Sequence, residues 1–323
     1  MIKQFNPSFL LKNRHVQTLY SALFRKIKPH KFEIQRFELS DGDFIECYWY
    51  KAQETNSKKP IVMLFHGLTG SYKSSYIQGM MQELDENGFS SVVVHFRACS
   101  GVMNKKARSY HSGKTDDALE FIYDLKKRYI ESKLFCIGYS IGGNMLLKLL
   151  GELSSKSPIT AAISVSAPMR LDICANRMNR GFSKFYQYML LKKLHTSLRE
   201  KFKTHNFKKL INLEEKTIKT LKTFLDFDTA YTAPMHGFRS AQDYYTRSSS
   251  KQFLKDIKTG TLIIHSIDDP FMTPEILPNK DEISPNIELE IYKSGGHLGF
   301  IDGTLLKPKY YLEKRVVKYF KKY

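Results

Sequence analysis

Three side chains, taken in chain order, could carry out nucleophilic chemistry on a carbonyl carbon. They are Ser140, Asp269 and His297. The serine lies in Gly138-Tyr139-Ser140-Ile141-Gly142-Gly143-Asn144. A short apolar run, Leu134-Phe135-Cys136-Ile137, precedes it, and the helical pattern Met145–Leu150 follows. Strand, sharp turn and helix with a serine at the apex is the pattern of a nucleophile elbow. Such a turn needs glycine at 138 and 142, where side chains would meet neighbouring backbone, and it pushes the Ser140 hydroxyl out. Matches to G-x-S-x-G also arise by chance, and it is the flanking strand and helix that favour the elbow here.

A serine hydroxyl is a weak nucleophile that needs a base, and the base needs an orienting carboxylate. The acid follows the apolar run Thr261–His265, in Ser266-Ile267-Asp268-Asp269-Pro270-Phe271. Asp269, directly before Pro270, is the preferred acid; Asp268 is expected to bond local backbone or a surface group. The base follows Ile287–Tyr292, in Ser294-Gly295-Gly296-His297-Leu298-Gly299, where flanking glycines free the loop to approach Ser140. Two backbone amides complete the expectation, as donors to an oxyanion. One is that of Ile141. The other is that of Leu68, in the loop His66-Gly67-Leu68-Thr69-Gly70-Ser71 after the strand Ile61–Phe65. His66 is expected to be structural. Arg97 and His111 are expected to brace loops, and Asn144 to bond loop backbone. Phe182, Phe185, Tyr186 and Tyr188 are expected to pack within a cap or to line an acyl pocket.

These residues must be positioned by a framework, and the apolar patterning supplies one. Stretches at Phe32–Leu39 and Phe44–Tyr50, separated by Ser40-Asp41-Gly42-Asp43, predict a hairpin. After the polar loop Gln53–Lys59 the predicted order is strand Ile61–Phe65, helix Tyr76–Asn87, strand Ser91–Phe96 and helix Lys114–Ile130. Strand Leu134–Ile137, helix Ile141–Leu153 and strand Ala161–Val165 follow. This alternation predicts a parallel sheet covered on both faces. It stops between 170 and 255, a helical, basic and aromatic stretch, and resumes with Thr261–His265, Ile287–Tyr292 and a last helix, Tyr310–Phe320. The expected organisation is a core of residues 31–169 and 256–323, a helical basic cap over 170–255, and a basic N-terminal arm over 1–30 packed on the core. In the arm Val16, Leu19, Tyr20, Leu23, Phe24 and Ile27 recur at helical spacing. That apolar stripe is expected to dock on its own domain. The alternative is an anionic membrane surface, which Lys12, Arg14, Arg25, Lys26 and Lys28 would suit.

The 323 residues are 42% hydrophobic and 26% charged, a balance that suits a soluble protein with a sizeable core. No apolar run reaches the roughly 20 residues of a membrane-spanning helix. The start of the chain lacks a signal-peptide pattern, so a cytoplasmic location is expected, with peripheral contact at the inner membrane surface as an extension. The four cysteines are dispersed and no H-E-x-x-H occurs, so no metal or other cofactor is expected. The net charge is +19, and residues 170–255 hold 18 Lys and Arg against 7 Asp and Glu. Such a surface attracts anionic partners. No nucleic-acid-binding motif accompanies it, so no specific nucleic acid is expected.

Taken in order, several segments resemble the YheT-like family of α/β-hydrolases, a bacterial branch related to eukaryotic abhydrolase-domain lipases and esterases. They are the elbow, the His66–Ser71 loop, Phe96-Arg97-Ala98-Cys99-Ser100-Gly101, and Tyr110–Asp117. Thr232–Phe238, Asp243-Tyr244-Tyr245, Asp268–Met272 and Gly295-Gly296-His297 complete the set. The resemblance runs from about His15 to Asp302. Ala98 departs from it, standing where the family usually has glycine. The resemblance implies an α/β-hydrolase fold, a mostly parallel sheet flanked by helices, with a triad of Ser140, Asp269 and His297. It implies a serine esterase or other acyl hydrolase acting on a small-molecule or lipid-like acyl ester. A thioesterase or acyltransferase on the same triad, or a binding protein using the basic cap, are the alternatives.

Overall fold

The computed structural model describes residues 5–27, 30–54 and 57–323; Lys28 of the basic arm, residues 1–4 and part of the 53–59 loop lie outside them. Eight strands form one sheet. In chain order they are β1 (Glu33–Glu38), β2 (Phe44–Tyr50), β3 (Ile61–Phe65), β4 (Ser90–Val94), β5 (Leu134–Tyr139), β6 (Ala161–Val165), β7 (Gly260–Ser266) and β8 (Ile287–Tyr292). Their spatial order is β1-β2-β4-β3-β5-β6-β7-β8. β1 and β2 form the antiparallel edge, and β3 to β8 run parallel.

Every residue of β3, β4, β5 and β6 is buried, as expected for strands covered on both faces. Alternation then divides them between two cores. Ile61, Met63 and Phe65 pack with α3 (Asp116–Arg128) and α4 (Ile141–Leu153) on one face. Val62 and Leu64 pack with α2 (Ser75–Glu86) and the C-terminal helix Tyr311–Phe320 on the other. Most element ends fall within two residues of the sequence expectation. α3 is shorter than expected, starting at Asp116 and ending at Arg128, with Asp116 and Asp117 in its first turn, where acidic groups meet the helix dipole. Ala98 adopts a φ of 65° in the turn after β4.

Between β6 and β7 the chain leaves the sheet. This inserted segment holds α5 (Leu171–Met178), α6 (Ser183–Phe202) and several short helices, with no strand. It has an apolar cluster of its own, around Leu191, Leu198, Phe207, Phe227 and Tyr231. One of its helical runs widens into a π-turn at Asp228–Thr232. A buried ionic network joins it to the core. Lys201 of α6 donates to the Asn104 side chain and the Lys106 carbonyl, both at 2.7 Å, and Asn104 in turn reaches Asp43.

At the N-terminus, α1 (Arg14–Phe24) is capped by Asn13, whose side chain accepts from the amides of His15 and Val16. Only Gln17 of this helix is buried. Ahead of it Phe5 packs in a core cluster and Leu11 is fully buried, so apolar residues help to hold the arm. Of the stripe on α1 itself, Val16, Leu19 and Tyr20 are half-buried and Leu23 and Phe24 are exposed. Among the described residues no helix is long and apolar enough to cross a membrane.

Candidate active site

The parallel register of β3 and β5, with Phe65 opposite Gly138, sets the His66–Ser71 loop beside the turn that follows β5. Ser140 occupies that turn between β5 and α4, with φ 52° and ψ −121°. Such a conformation costs a non-glycine residue about 1–3 kcal/mol and persists only where its surroundings enforce it. Here the surroundings do. A Cβ on Gly142 would meet the backbone of Phe65 and His66, and one on Gly138 would meet the Gly142–Gly143 backbone. The Ser140 amide donates to the Val165 carbonyl at 2.9 Å, tying the turn to β6.

The loops after β7 and β8 converge on this serine. His297 Nδ1 lies 2.8 Å from Asp269 Oδ2, and Nε2 lies 3.0 Å from Ser140 Oγ. A carboxylate only accepts, so Nδ1 carries the proton and Nε2 is left to accept from the serine hydroxyl. Asp269 Oδ1 accepts from the Phe271 amide at 2.8 Å, which fixes the carboxylate plane. The Phe271 ring lies on the imidazole, with centroids 4.0 Å apart and planes 8° from parallel. Asp268 turns elsewhere: its Oδ1 accepts from the Gly296 amide at 2.9 Å. That is the local backbone role expected of it. All three of Ser140, Asp269 and His297 are buried.

Leu68 and Ile141 stand beside Ser140. In the 66–71 loop the amides of Gly67, Thr69, Gly70 and Ser71 have acceptors: the Tyr76 hydroxyl, the Tyr110 hydroxyl, the Gly67 carbonyl and the Ser74 hydroxyl. The Leu68 amide has none among the described residues. The Ile141 amide opens α4, where the first N–H groups have no intrahelical partner. Both residues line a cavity of about 110 Å³ that extends beneath the inserted segment. Its walls are largely apolar, including Leu171, Leu198, Phe224 and Phe227. One acidic group lines it, Asp228 of the π-turn, to which the Tyr245 hydroxyl donates at 2.8 Å. Burial pushes this carboxyl up to about 6 against the pull of its Thr232 and Tyr245 hydrogen bonds.

The remaining sequence candidates act as braces, and one of them, His111, also lines the cavity. Arg97 is buried and binds Asp117 through two bonds of 2.7 Å, with Asp41 and Asp43 on its other side. His111 packs edge-on against His236, Phe238 and Tyr244, and burial holds it well below the usual histidine range. Asn144 donates to the Ser112 and Ser248 carbonyls and accepts from the Ser250 amide, tying α4 to two loops. His66 bonds backbone at Gly67 and Phe96, and burial lowers it to about 3, so it stays neutral. Of the cap aromatics, Tyr186 is buried against Phe271. Phe182, Phe185 and Tyr188 are exposed and line no part of the cavity. Their place on the outer side of the segment excludes the acyl-pocket role for these three.

Three residues at the site had no signal in the sequence. Thr18 Oγ1, on α1, accepts from the His297 amide at 2.9 Å. Gln17 clamps the same region, donating to the Leu11 and Ile301 carbonyls and accepting from the Ile301 amide. Asp228 is the third residue that reasoning from sequence passed over; the short helical pattern around it gives no hint of a cavity.

Comparison with known proteins places these features in context. A family model described as alpha/beta hydrolase fold matches residues 60–304. YheT of Escherichia coli (strain K12), provisionally named an esterase, is 39% identical over 97% of this chain and 92% of its own length. The human phospholipase ABHD3 is 28% identical over 94% of this chain and 75% of its own length. Among solved structures, the Pyrococcus furiosus esterase Pf2001 superposes with a TM-score of 0.57, covering 98% of this chain and 99% of that one at 18% identity. That last likeness is one of fold.

Proposed function

The chain belongs to the YheT-like branch of the α/β-hydrolase family and is an enzyme of the esterase and lipase type, and from that premise we propose that it cleaves acyl esters by covalent catalysis at Ser140. Ser140 Oγ attacks the ester carbonyl carbon while His297 Nε2 takes its proton. Asp269 holds the Nδ1–H tautomer and stabilises the imidazolium that forms. The amides of Leu68 and Ile141 bind the oxyanion of the tetrahedral intermediate, each contributing about 3–4 kcal/mol to the transition state. His297 then returns the proton to the leaving alcohol. In the second half, His297 activates water, which releases the acid from Ser140.

The observation that carries this reading is the continuous hydrogen-bonded chain from Asp269 through His297 to Ser140, at 2.8 and 3.0 Å. The unpaired Leu68 amide and the adjoining cavity support it. In this reading residues 170–255 are the cap that roofs that cavity, and residues 1–30 are the arm that supports the His297 loop. The largely apolar lining and the phospholipase name of the human relative support a lipid-like acyl ester as substrate.

The test uses a fluorophosphonate probe and p-nitrophenyl esters of increasing chain length. Wild type is expected to be labelled and to hydrolyse, and Ser140→Ala to do neither. An unlabelled, inactive wild type would sink the proposal. Competition between water and added alcohol as acceptors separates hydrolysis from acyl transfer on the same acyl-enzyme.

A further inference from the structure

Helix α1 is mounted with its polar side inward. Arg14, Gln17, Thr18, Ser21 and Arg25 fall on one side of the helix axis, and Val16, Leu19, Tyr20 and Leu23 on the opposite side. The polar side makes the attachments. Gln17 and Thr18 hold the Ile301 and His297 backbone, Ser21 lies 3.1 Å from the Ser75 hydroxyl, and Arg25 pairs with Glu313 at 2.6 Å. None of the apolar residues of α1 belongs to a core cluster among the described residues. Leu23 and Phe24 are 66% and 65% exposed. Val16, Leu19 and Tyr20 are half-buried, and the Tyr20 hydroxyl donates to the Leu305 carbonyl, so the water-facing part of the stripe is its C-terminal end. An amphipathic helix that leaves apolar groups in water forgoes part of the benefit of forming one.

A second exposed apolar surface adjoins it. His15 of α1 packs against the Phe182 ring, with centroids 4.6 Å apart, and its Nδ1 meets the Tyr186 hydroxyl at 3.0 Å. From that contact α6 presents Phe185, Tyr188 and Met189 outward, followed by Lys192 and Lys193. The charge on both segments has one sign. The chain holds no Asp or Glu before Glu33, and none between Asp172 and Glu200, while Lys12 and Lys26 on the first stretch and Lys184, Lys192 and Lys193 on the second are exposed. Two copies of this face would bring cations together with no acid to pair them. An anionic lipid surface offers both phases at once: acyl chains for the apolar groups and phosphates for the cations.

We propose that α1 and the start of α6 form a docking face that beds into the headgroup region of an anionic bilayer. The proposal rests on the acyl-ester reading of the site for its purpose; its test does not depend on turnover.

The full chain carrying Ser140→Ala is sedimented with vesicles of equal parts phosphatidylglycerol and phosphatidylcholine, and with phosphatidylcholine alone. Binding to the anionic vesicles is expected, weaker by at least about tenfold on the neutral ones. Leu23→Ser with Phe24→Ser should weaken binding to anionic vesicles by at least about tenfold. The same pair placed in the active chain should leave hydrolysis of soluble p-nitrophenyl acetate unchanged. Phe185→Ser with Met189→Ser, on the other helix, repeats the measurement without touching α1. Absent binding by the parent chain, or unchanged binding in both double variants, overturns the proposal. So does a dimer that Leu23→Ser with Phe24→Ser converts to monomer, since a second copy would then cover the face. Vesicle binding without any esterase activity in wild type would overturn the catalytic reading and leave the docking face standing.

Discussion

At the scale of single residues, what could be foreseen is what local chemistry dictates. Ser140 announces itself because its turn demands glycines at fixed offsets, and the structure shows backbone where their side chains would be. Asp269 and His297 are legible for similar reasons, the one by its proline and the other by its glycines. Thr18 is not: it lies 279 residues from its partner His297, and no pattern within a helix marks a threonine that will hold a distant loop. The two neighbouring aspartates give a sharp test. Asp269 faces the imidazole and Asp268 faces the Gly296 amide. Asp269→Asn should lower kcat by about 10⁴-fold, by favouring the wrong tautomer of His297. Asp268→Asn, which leaves the bond between Asp269 and the imidazole in place, should lose less than about tenfold. Steady-state kinetics on a p-nitrophenyl ester compares the two, and equal losses would refute the assignment.

Elements were readable to the degree that their burial is uniform. β3, β5 and β6 show as apolar runs because both faces are covered, and proline or polar residues bound them at each end. The inserted segment was readable only as helical. Its short helices begin and end at local caps such as Asn206, Asn212 and Thr223, and the bond from Tyr245 to Asp228 in the π-turn at 228–232 is one that no periodicity reveals. Helical spacing identified the stripe on α1 but could not say which side of the helix would face the protein. The π-turn also has a measurable consequence. Burial raises the folded-state pKa of Asp228 to about 6 from an ordinary value of 3.8. Between those values the folded chain holds the proton and the unfolded chain does not, so stability falls as pH rises through this window. Above about pH 6 the deficit is complete, about 2–3 kcal/mol. Asp228→Asn cannot ionise, so it should be more stable than wild type by that amount at about pH 8 and equal to it at about pH 3.5. Denaturant unfolding at the two pH values checks this, and a gain of equal size at both would exclude ionisation as its cause.

For the molecule as a whole, histidines set the acid limit. Burial lowers His66 and His236 to about 3, and His95 and His265 to about 4, from an ordinary 6.5. Their unfolded forms take up protons below about 6.5 while the folded forms resist, so stability is present above that value and lost as pH falls toward 4. Every tenfold loss of proton affinity on folding corresponds to about 1.4 kcal/mol. Denaturation midpoints should therefore drop steeply below about pH 6.5, and His236→Gln should flatten the slope. A midpoint that stays level from about pH 7 to about pH 5 would rule out neutral buried imidazoles. The net charge and the composition could be read from sequence; the gathering of cations beside the exposed apolar residues Leu23, Phe24, Phe185 and Tyr188 could not, because it depends on where α1 and α6 meet. The single bond from the His297 amide to Thr18 gives that meeting a further meaning. The arm is a mechanical linkage between the protein's outer surface and its imidazole. Through that bond a displacement of α1 would be felt at the loop that carries His297.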